Sequence, residues 1–235
     1  MAIVKKCQAR LKSIHNKIEG VYTLEFESLG RHFNYAPGQF LHLAIDNDYD
    51  GSSQWPESRC FSMQSNPDEE TIKITYAVKG EFTKQMESEL KPGSEVWLKL
   101  PYGDLFQQAH NKQNTVFIAG GTGITPFLSL FTHESFNEYT NPKIYLGFRS
   151  KAYNIYHAEL DRMNQIRQNP RNLLESVQSF YEDTDGVIDI NEIHNSNGAT
   201  SHYFISGPPA MIKIFKNTLI EKGVPTENIL TDDWE

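Results

Sequence analysis

The sequence predicts a chain of two domains, an antiparallel Greek-key β-barrel over residues 1–107 and an α/β domain with a parallel sheet over residues 108–235. Three observations predict it. Short alternating segments separated by turn residues fill the first half, the pattern of strands that show one face to a core. After Phe106 the pattern becomes strand, helix, strand, helix, the layout of a parallel sheet. Between them lies QQAHNKQN, Gln107 to Asn114, polar and placed where the period switches. A length of 235 residues with 38% hydrophobic content suits two domains of roughly 110 residues, each with a core of its own.

In order along the chain, barrel strands are expected at Gln8 to Ile14, Val21 to Glu27, Gln39 to Ile45, Thr71 to Val78 and Glu95 to Leu100. The stretch DNDYDGSSQWPES, Asp46 to Ser58, is too polar and rich in Gly and Ser for an element and reads as a surface loop. One helix is expected within this half, Phe82 to Leu90, ended by Lys91, Pro92 and Gly93. In the second half, strands are expected at Thr115 to Ala119, Lys143 to Phe148, Leu173 to Ser179 and Tyr203 to Ser206. Helices are expected at Pro126 to Phe136, near His157 to Gln168, and from Pro209 to Lys222.

Composition excludes several classes. A net charge of −8 with no Lys/Arg run argues against a nucleic-acid binder, so any anion site must be local. Cys7 and Cys60 are the only cysteines, too few for a disulfide framework, a CxxC zinc pattern or four iron–sulfur ligands. His157 and Glu159 have no downstream cysteine pair, and no metal site is expected. The first residues carry no long apolar run, and no stretch approaches the roughly 18 apolar residues of a membrane span. The expectation is a cytoplasmic chain without membrane contact. No Walker A, GxGxxG or Gly-x-Ser-x-Gly pattern occurs, which sets kinase and hydrolase readings aside.

Several segments carry candidate chemistry. In VFIAGGTGITPFLSL, Val116 to Leu130, an apolar strand meets Gly120, Gly121 and Gly123, which permit positive φ and close approach of a ligand to the backbone. Pro126 suits a first helical turn, and Thr122 or Thr125 is placed to cap it, a combination that attracts an anion such as a pyrophosphate. An ordinary βα turn has the same pattern. Arg59, Cys60, Phe61 and Ser62 begin a strand, with Arg59 and Phe61 on one face and Ser62 on the other. A guanidinium for a phosphate, a ring to pack on a flavin and a hydroxyl for its edge suit such a ligand; an exposed Arg beside a core Phe is the plainer alternative. At Lys79, Gly80, Glu81, Phe82 and Thr83 a strand gives way to a helix whose free amides, with the Thr83 hydroxyl, would face a second phosphate or simply make a capped helix. PGQF at Pro37 and PYGDLF at Pro101 read as turns. YFISGPPAM, Tyr203 to Met211, is a second glycine-hinged strand-to-helix turn, able to share one ligand with the first at the carboxyl end of a parallel sheet. For the terminal ILTDDWE a frayed tail is the default.

Taken in order, PGQF, RCFS, KGEFT, PYGDLF, AGGTGITP, SGPPAM and the acid–x–aromatic terminus resemble the ferredoxin–NADP reductase superfamily of flavoprotein reductases, over about residues 5 to 235. The resemblance implies an FAD-binding barrel, FMN being the less expected flavin, followed by a nicotinamide-dinucleotide domain, with hydride passing to flavin N5. It assigns flavin contacts to Arg59, Phe61, Ser62, Lys79, Gly80, Thr83 and Trp234. It assigns the dinucleotide to Gly121, Thr122, Gly123, Pro126, Arg149, Gly207, Pro208 and Pro209, and catalytic roles to Ser62, Ser206 and Asp232. Two departures stand out: Phe61 where Tyr is common, and Ser206 where many members carry Cys. The second implies hydride transfer at an altered rate.

NADPH-specific relatives often place a Ser–Arg pair after the third strand of this domain. Here Ser179-Phe180-Tyr181-Glu182-Asp183 puts carboxylates there, which favours NADH, although Arg149, Ser150 and Lys151 after the second strand lean the other way. The expected activity is an NAD(P)H-dependent flavoprotein reductase passing electrons to an external acceptor: a ferredoxin-type iron–sulfur protein, a haem protein or a small molecule. Two alternatives are a reductase acting on free flavin and a non-catalytic flavin-binding electron-transfer subunit.

Overall fold

The structure is a computed structural model and describes residues 3–46, 48–166 and 176–232. The chain divides into two compact units, Met1–Asp104 and Leu105–Glu235. Each is built on one sheet.

In the first unit, six antiparallel strands take the order β4-β3-β6-β1-β2-β5, where β1 is Lys5–Ile18, β2 Val21–Ser28, β3 Phe40–Ala44, β4 Arg59–Ser62, β5 Thr71–Ala77 and β6 Glu95–Tyr102. Strands β4 and β5 end this order, and the chain just past β4 reaches β5 where the Gln64 amide donates to Lys73 O at 2.8 Å. Alternation fills the interior: Ala9 and Leu11, Leu24 and Phe26, Leu41 and Leu43, Ile72 and Ile74, and Val96, Leu98 and Leu100 form one buried cluster. Helix α1, Glu81–Glu89, adds Phe82 and Met86 to it, one turn apart on the same face. Burying those two side chains contributes roughly 1.5–3 kcal/mol each.

The two sequence turns brace each other. The Gln39 side chain accepts from the Ala36 amide at 2.8 Å and donates to Gly103 O at 2.7 Å, which ties PGQF to PYGDLF. The polar loop before β4 is also anchored. Trp55 lies under two ammonium groups, Lys6 at 5.9 Å and Lys99 at 5.8 Å from its ring, and its indole donates to Ser58 Oγ at 2.9 Å.

The second unit has five parallel strands in the order β11-β10-β7-β8-β9: β7 is Thr115–Gly120, β8 Lys143–Phe148, β9 Val177–Tyr181, β10 His202–Ser206 and β11 Ile229–Thr231. Strands β7 and β10 are buried on both faces, as a sheet covered on two sides requires. On one face Val116, Ile118, Tyr203 and Ile205 pack with Ile212, Phe215 and Leu219 of α5, Pro209–Glu221. On the other, Phe117 stacks on Phe204 at 5.4 Å and meets Phe127 and Phe131 edge-on.

Four expectations are corrected. The helix expected from Pro126 to Phe136 is a 3-10 turn, Gly121–Ile124, leading into α2, Thr125–Phe131, with a separate 3-10 turn at Glu134–Glu138. The break comes where the His133 imidazole accepts from the Ser135 amide at 3.1 Å and caps the new turn. Second, helix α4, Ile190–Asn197, was not expected; it has only Ile190 and Ile193 to bury, too few to set a period. Third, Ile229–Thr231 of the terminal stretch is paired, because Ile229 and Leu230 are buried and β11 adds in parallel to β10. Fourth, the third strand of this unit runs through Tyr181, two residues past Ser179. Helix α3 is His157–Ile166; Gln168, and Leu173 and Leu174 of the expected strand, lie outside the described residues, as does Trp234. Among the described residues no helix is long and apolar enough to cross a membrane.

Candidate functional site

In the first unit the site is built on β4 and the start of α1. Leu43 pairs with Arg59 and Leu41 with Phe61, so Arg59 and Phe61 share the core-facing side, while Ser62 pairs with Phe40 on the other. Arg59 sits at the mouth, its guanidinium 5.0 Å from the Phe82 ring centre and its Nη2 donating to Glu57 Oε1 at 2.7 Å. That ion pair is exposed and contributes at most about 1 kcal/mol, so an anion can displace it. Arg59 and the first turn of α1 are therefore neighbours.

The amides of that turn are shared out differently from the expectation. Thr83 Oγ1 accepts from the Lys79 amide at 2.9 Å and the Gly80 amide at 3.1 Å, and donates to Gly80 O at 3.0 Å. The Thr83 hydroxyl is thus a cap, and Lys79 and Gly80 do not offer free N–H groups. The first-turn amides of Glu81, Phe82 and Thr83 are the ones that helix geometry leaves without an intrahelical acceptor. Beside them a Cβ on Gly80 would meet nothing within 4 Å, so the protein leaves space there.

In the second unit the two glycine turns lie side by side, because β7 and β10 are adjacent and parallel with Ala119 opposite Ser206. Gly121 has φ +56° and Gly207 φ +152°, conformations that L side chains rarely adopt. A Cβ on Gly123 would lie 2.5 Å from the Gly207 backbone, and one on Gly120 2.8 Å from Met211 Sδ. The expected threonine cap is absent: the Thr125 hydroxyl donates to Thr122 O at 2.9 Å, and the N-cap of α2 is Ile124, with no side-chain cap. Thr125 is buried, which turns its hydroxyl inward. Pro126 occupies the first turn of α2, and Pro208 and Pro209 open α5.

Behind these turns, Ser206 Oγ donates to Asp232 Oδ2 at 3.1 Å, both residues buried, and the Asp232 amide donates to Ile205 O at 3.0 Å. Arg149, exposed at the end of β8, has its guanidinium 5.9 Å from the Tyr153 ring centre. The Glu182 amide donates to Phe148 O at 2.9 Å and the Asp183 amide to Arg149 O at 3.2 Å, which pins the acidic turn beside Arg149. Burial pushes the Cys7 thiol up to about 11 and the Cys60 thiol upward too, so neither is a ready thiolate nucleophile.

Comparison with known proteins places this geometry. The family model for the oxidoreductase NAD-binding domain matches residues 117–217. The reductase component of propane 2-monooxygenase from Mycolicibacterium smegmatis is 24% identical over 98% of this chain and 68% of its own length. Flavohemoprotein A of Dictyostelium discoideum is 25% identical over 83% of this chain and 51% of its own. A solved ferredoxin NADP+ reductase from Neisseria gonorrhoeae with bound FAD and NADP superposes with a TM-score of 0.75 at 16% identity, covering 97% of this chain and 98% of that one. Residues 117–217 carry the oxidoreductase NAD-binding domain, and the chain as a whole is similar to the ferredoxin–NADP reductase-like flavoprotein oxidoreductases. It spans between half and about two-thirds of the length of these two curated relatives.

Members of that family are NAD(P)H-dependent flavoprotein oxidoreductases of two domains. Of the residues singled out from sequence, Arg59, Phe61, Gly80 and Thr83 gather in the barrel unit. Gly121, Gly123, Ser206, Gly207, Pro208 and Asp232 gather at the carboxyl end of the parallel sheet. The Phe61 ring meets edge-on, at 6.1 Å, a buried core residue that the sequence did not single out, Tyr76. The alternation Ile72, Ile74, Tyr76 was the signal for it.

Proposed function

We propose that this chain is an NADH-preferring flavoprotein reductase that binds FAD in its barrel unit and the dinucleotide in its α/β unit. The observation that carries the reading is the juxtaposition of Arg59 with the open first turn of α1, a guanidinium and unclaimed amides around space left at Gly80. That donor set fits a pyrophosphate. Arg59 and the amides of Glu81, Phe82 and Thr83 hold the flavin phosphates, Phe61 packs on the flavin, and Ser62 hydrogen-bonds its edge. In the α/β unit, the backbone of Gly121 to Gly123 and of Gly207 holds the dinucleotide, and Asp232 fixes the Ser206 hydroxyl beside the nicotinamide. The bound flavin supplies the chemistry of taking a hydride at N5 and releasing electrons singly.

The acceptor lies outside these residues, because Cys7 and Cys60 cannot furnish four thiolates for a cluster. An iron–sulfur or haem protein fits: a relative from Pseudomonas putida is named as the ferredoxin–NAD(P)+ reductase component of a naphthalene 1,2-dioxygenase system, and the Dictyostelium relative as a flavohemoprotein. The preference for NADH is supported by Glu182 and Asp183, whose carboxylates repel a 2′-phosphate dianion next to Arg149.

Absorption spectroscopy of the purified protein reconstituted with FAD, before and after anaerobic NADH or NADPH, tests this. We expect a flavin spectrum that NADH bleaches at least tenfold faster than NADPH. A protein that takes up no flavin would overturn the reading, and equal bleaching would overturn the donor preference.

A further inference from the structure

A cavity of about 270 Å³ lies in the α/β unit between α4 and the sheet, and neither the flavin nor the dinucleotide assignment uses it. Its floor is made by the rings of Tyr145 in β8 and Phe180 in β9, near parallel with centres 6.5 Å apart, and α4 brings Ile193 to the same space. Lys143 and Tyr145 come from the start of β8, whereas the glycine turns follow the carboxyl ends of β7 and β10. Two exposed charges of opposite sign line the cavity without meeting: Lys143 on the strand side and Glu192 on the helix side. Neither side chain has a hydrogen bond or ion pair among the described residues. A second carboxylate, Asp189, is occupied as the cap of α4, accepting from the Asn191 amide at 2.8 Å. Tyr145 is 6% exposed and its oxygen is held by Asn197, whose Nδ2 donates to it at 3.1 Å and to Ile193 O at 2.7 Å. The phenol is thus fixed as an acceptor, and its proton has no acceptor among the described residues.

We propose that this cavity binds a small α-amino acid with an aromatic side chain. The ligand carboxylate lies between the Lys143 ammonium and the Tyr145 hydroxyl, two residues apart on one face of β8. The ligand ammonium meets Glu192, and its ring packs on Phe180 and Ile193. A zwitterion gives each unpaired charge its opposite, which a simple cation or a simple anion cannot do. The size agrees, because about 270 Å³ falls just below the roughly 300 Å³ at which pockets for drug-sized ligands begin. The site is independent of the flavin.

The test is titration of the isotope-labelled full chain with L-phenylalanine, read by amide chemical shifts. Phenylethylamine and phenylpropanoate, each lacking one of the two charges, are the comparison probes. We expect saturable shifts in α4, β8 and β9 with a Kd below about 1 mM, and binding of each comparison probe at least about tenfold weaker. Glu192→Gln should weaken L-phenylalanine about tenfold and leave phenylpropanoate unchanged; Lys143→Gln should weaken L-phenylalanine about tenfold and leave phenylethylamine unchanged. Both side chains are exposed and unpaired, so both variants should fold as wild type does. No saturable shift at about 10 mM ligand, shifts confined to the glycine turns, a one-charge probe that binds as tightly as the amino acid, or variants of wild-type affinity would each overturn the inference. The titration contains no flavin, so its failure leaves the flavin reading standing.

Discussion

The two candidate anion sites use glycine for different reasons. At Gly80 an added Cβ would meet nothing, and the backbone is extended at φ −130° and ψ −179°, so the fold does not demand glycine there. At Gly123 an added Cβ would strike the Gly207 backbone at 2.5 Å, so the fold does demand it. A side chain at one glycine would meet nothing, and the other glycine lets two turns of the protein touch. A motif glycine therefore says nothing about ligand binding until its surroundings are known. In the barrel unit the charge that would hold a phosphate comes from a side chain, Arg59; in the α/β unit the glycine turns offer backbone, with Arg149 standing apart at the end of the next strand.

The largest effect expected from this contrast is at Gly123. Gly123→Ala forces two backbones apart, and overpacking of that kind costs about 1–3 kcal/mol. Denaturant unfolding should show a loss near the upper end, because the obstacle is backbone and cannot rotate away. FAD affinity of the variant should be unchanged, since the clash lies wholly within the α/β unit. A variant as stable as wild type would mean the two turns are free to separate, and the comparison would collapse.

How far the sequence foretold this depends on the kind of contact. The strands of the barrel were legible because alternation is local: Leu41 and Leu43, or Ile72 and Ile74, declare their face within a few residues. Arg59 and the glycine turns were legible as a series, by their order along the chain. What escaped were contacts between distant residues. The anchoring of the polar loop depends on Lys6 and Lys99 meeting at Trp55 from neighbouring strands, which no window of sequence contains. The Thr83 cap was hidden for another reason, since a hydroxyl that serves a ligand and one that serves the helix have the same spacing. Helix α4 did carry a signal that was passed over: Asp189, which accepts from the Asn191 amide at 2.8 Å, stands three residues before Glu192, an N-terminal pattern.

The next effect in size is at Arg59. Losing a charge-assisted hydrogen bond to a phosphate costs about 1.5–3 kcal/mol, so Arg59→Ala should weaken FAD binding roughly 10- to 100-fold. Its exposed pair with Glu57 adds little to the fold, and the apo unfolding curve should stay within about 0.5 kcal/mol of wild type. Arg59→Lys should recover part of the affinity, because the charge is kept while the bidentate geometry is lost. Tight FAD binding by Arg59→Ala would move the phosphate elsewhere.

The smallest effect sharpens the comparison most. Gly80→Ala places a methyl in open space at the N-cap of α1, where the amides of Lys79 and Gly80 are already satisfied by Thr83. Its backbone conformation is open to alanine, but glycine is the better N-cap residue, so the stability cost should be about 0.5–1 kcal/mol, below that at Gly123. The methyl nevertheless intrudes where a phosphate oxygen would approach the free amides of the first turn, and FAD affinity should fall a few fold. Gly123→Ala should thus cost more stability and leave FAD binding untouched, while Gly80→Ala should cost less stability and lower FAD affinity. If both variants lose stability alike, the space at Gly80 belongs to the fold; if Gly80→Ala binds FAD as wild type does, the phosphate lies nearer Arg59 than the helix.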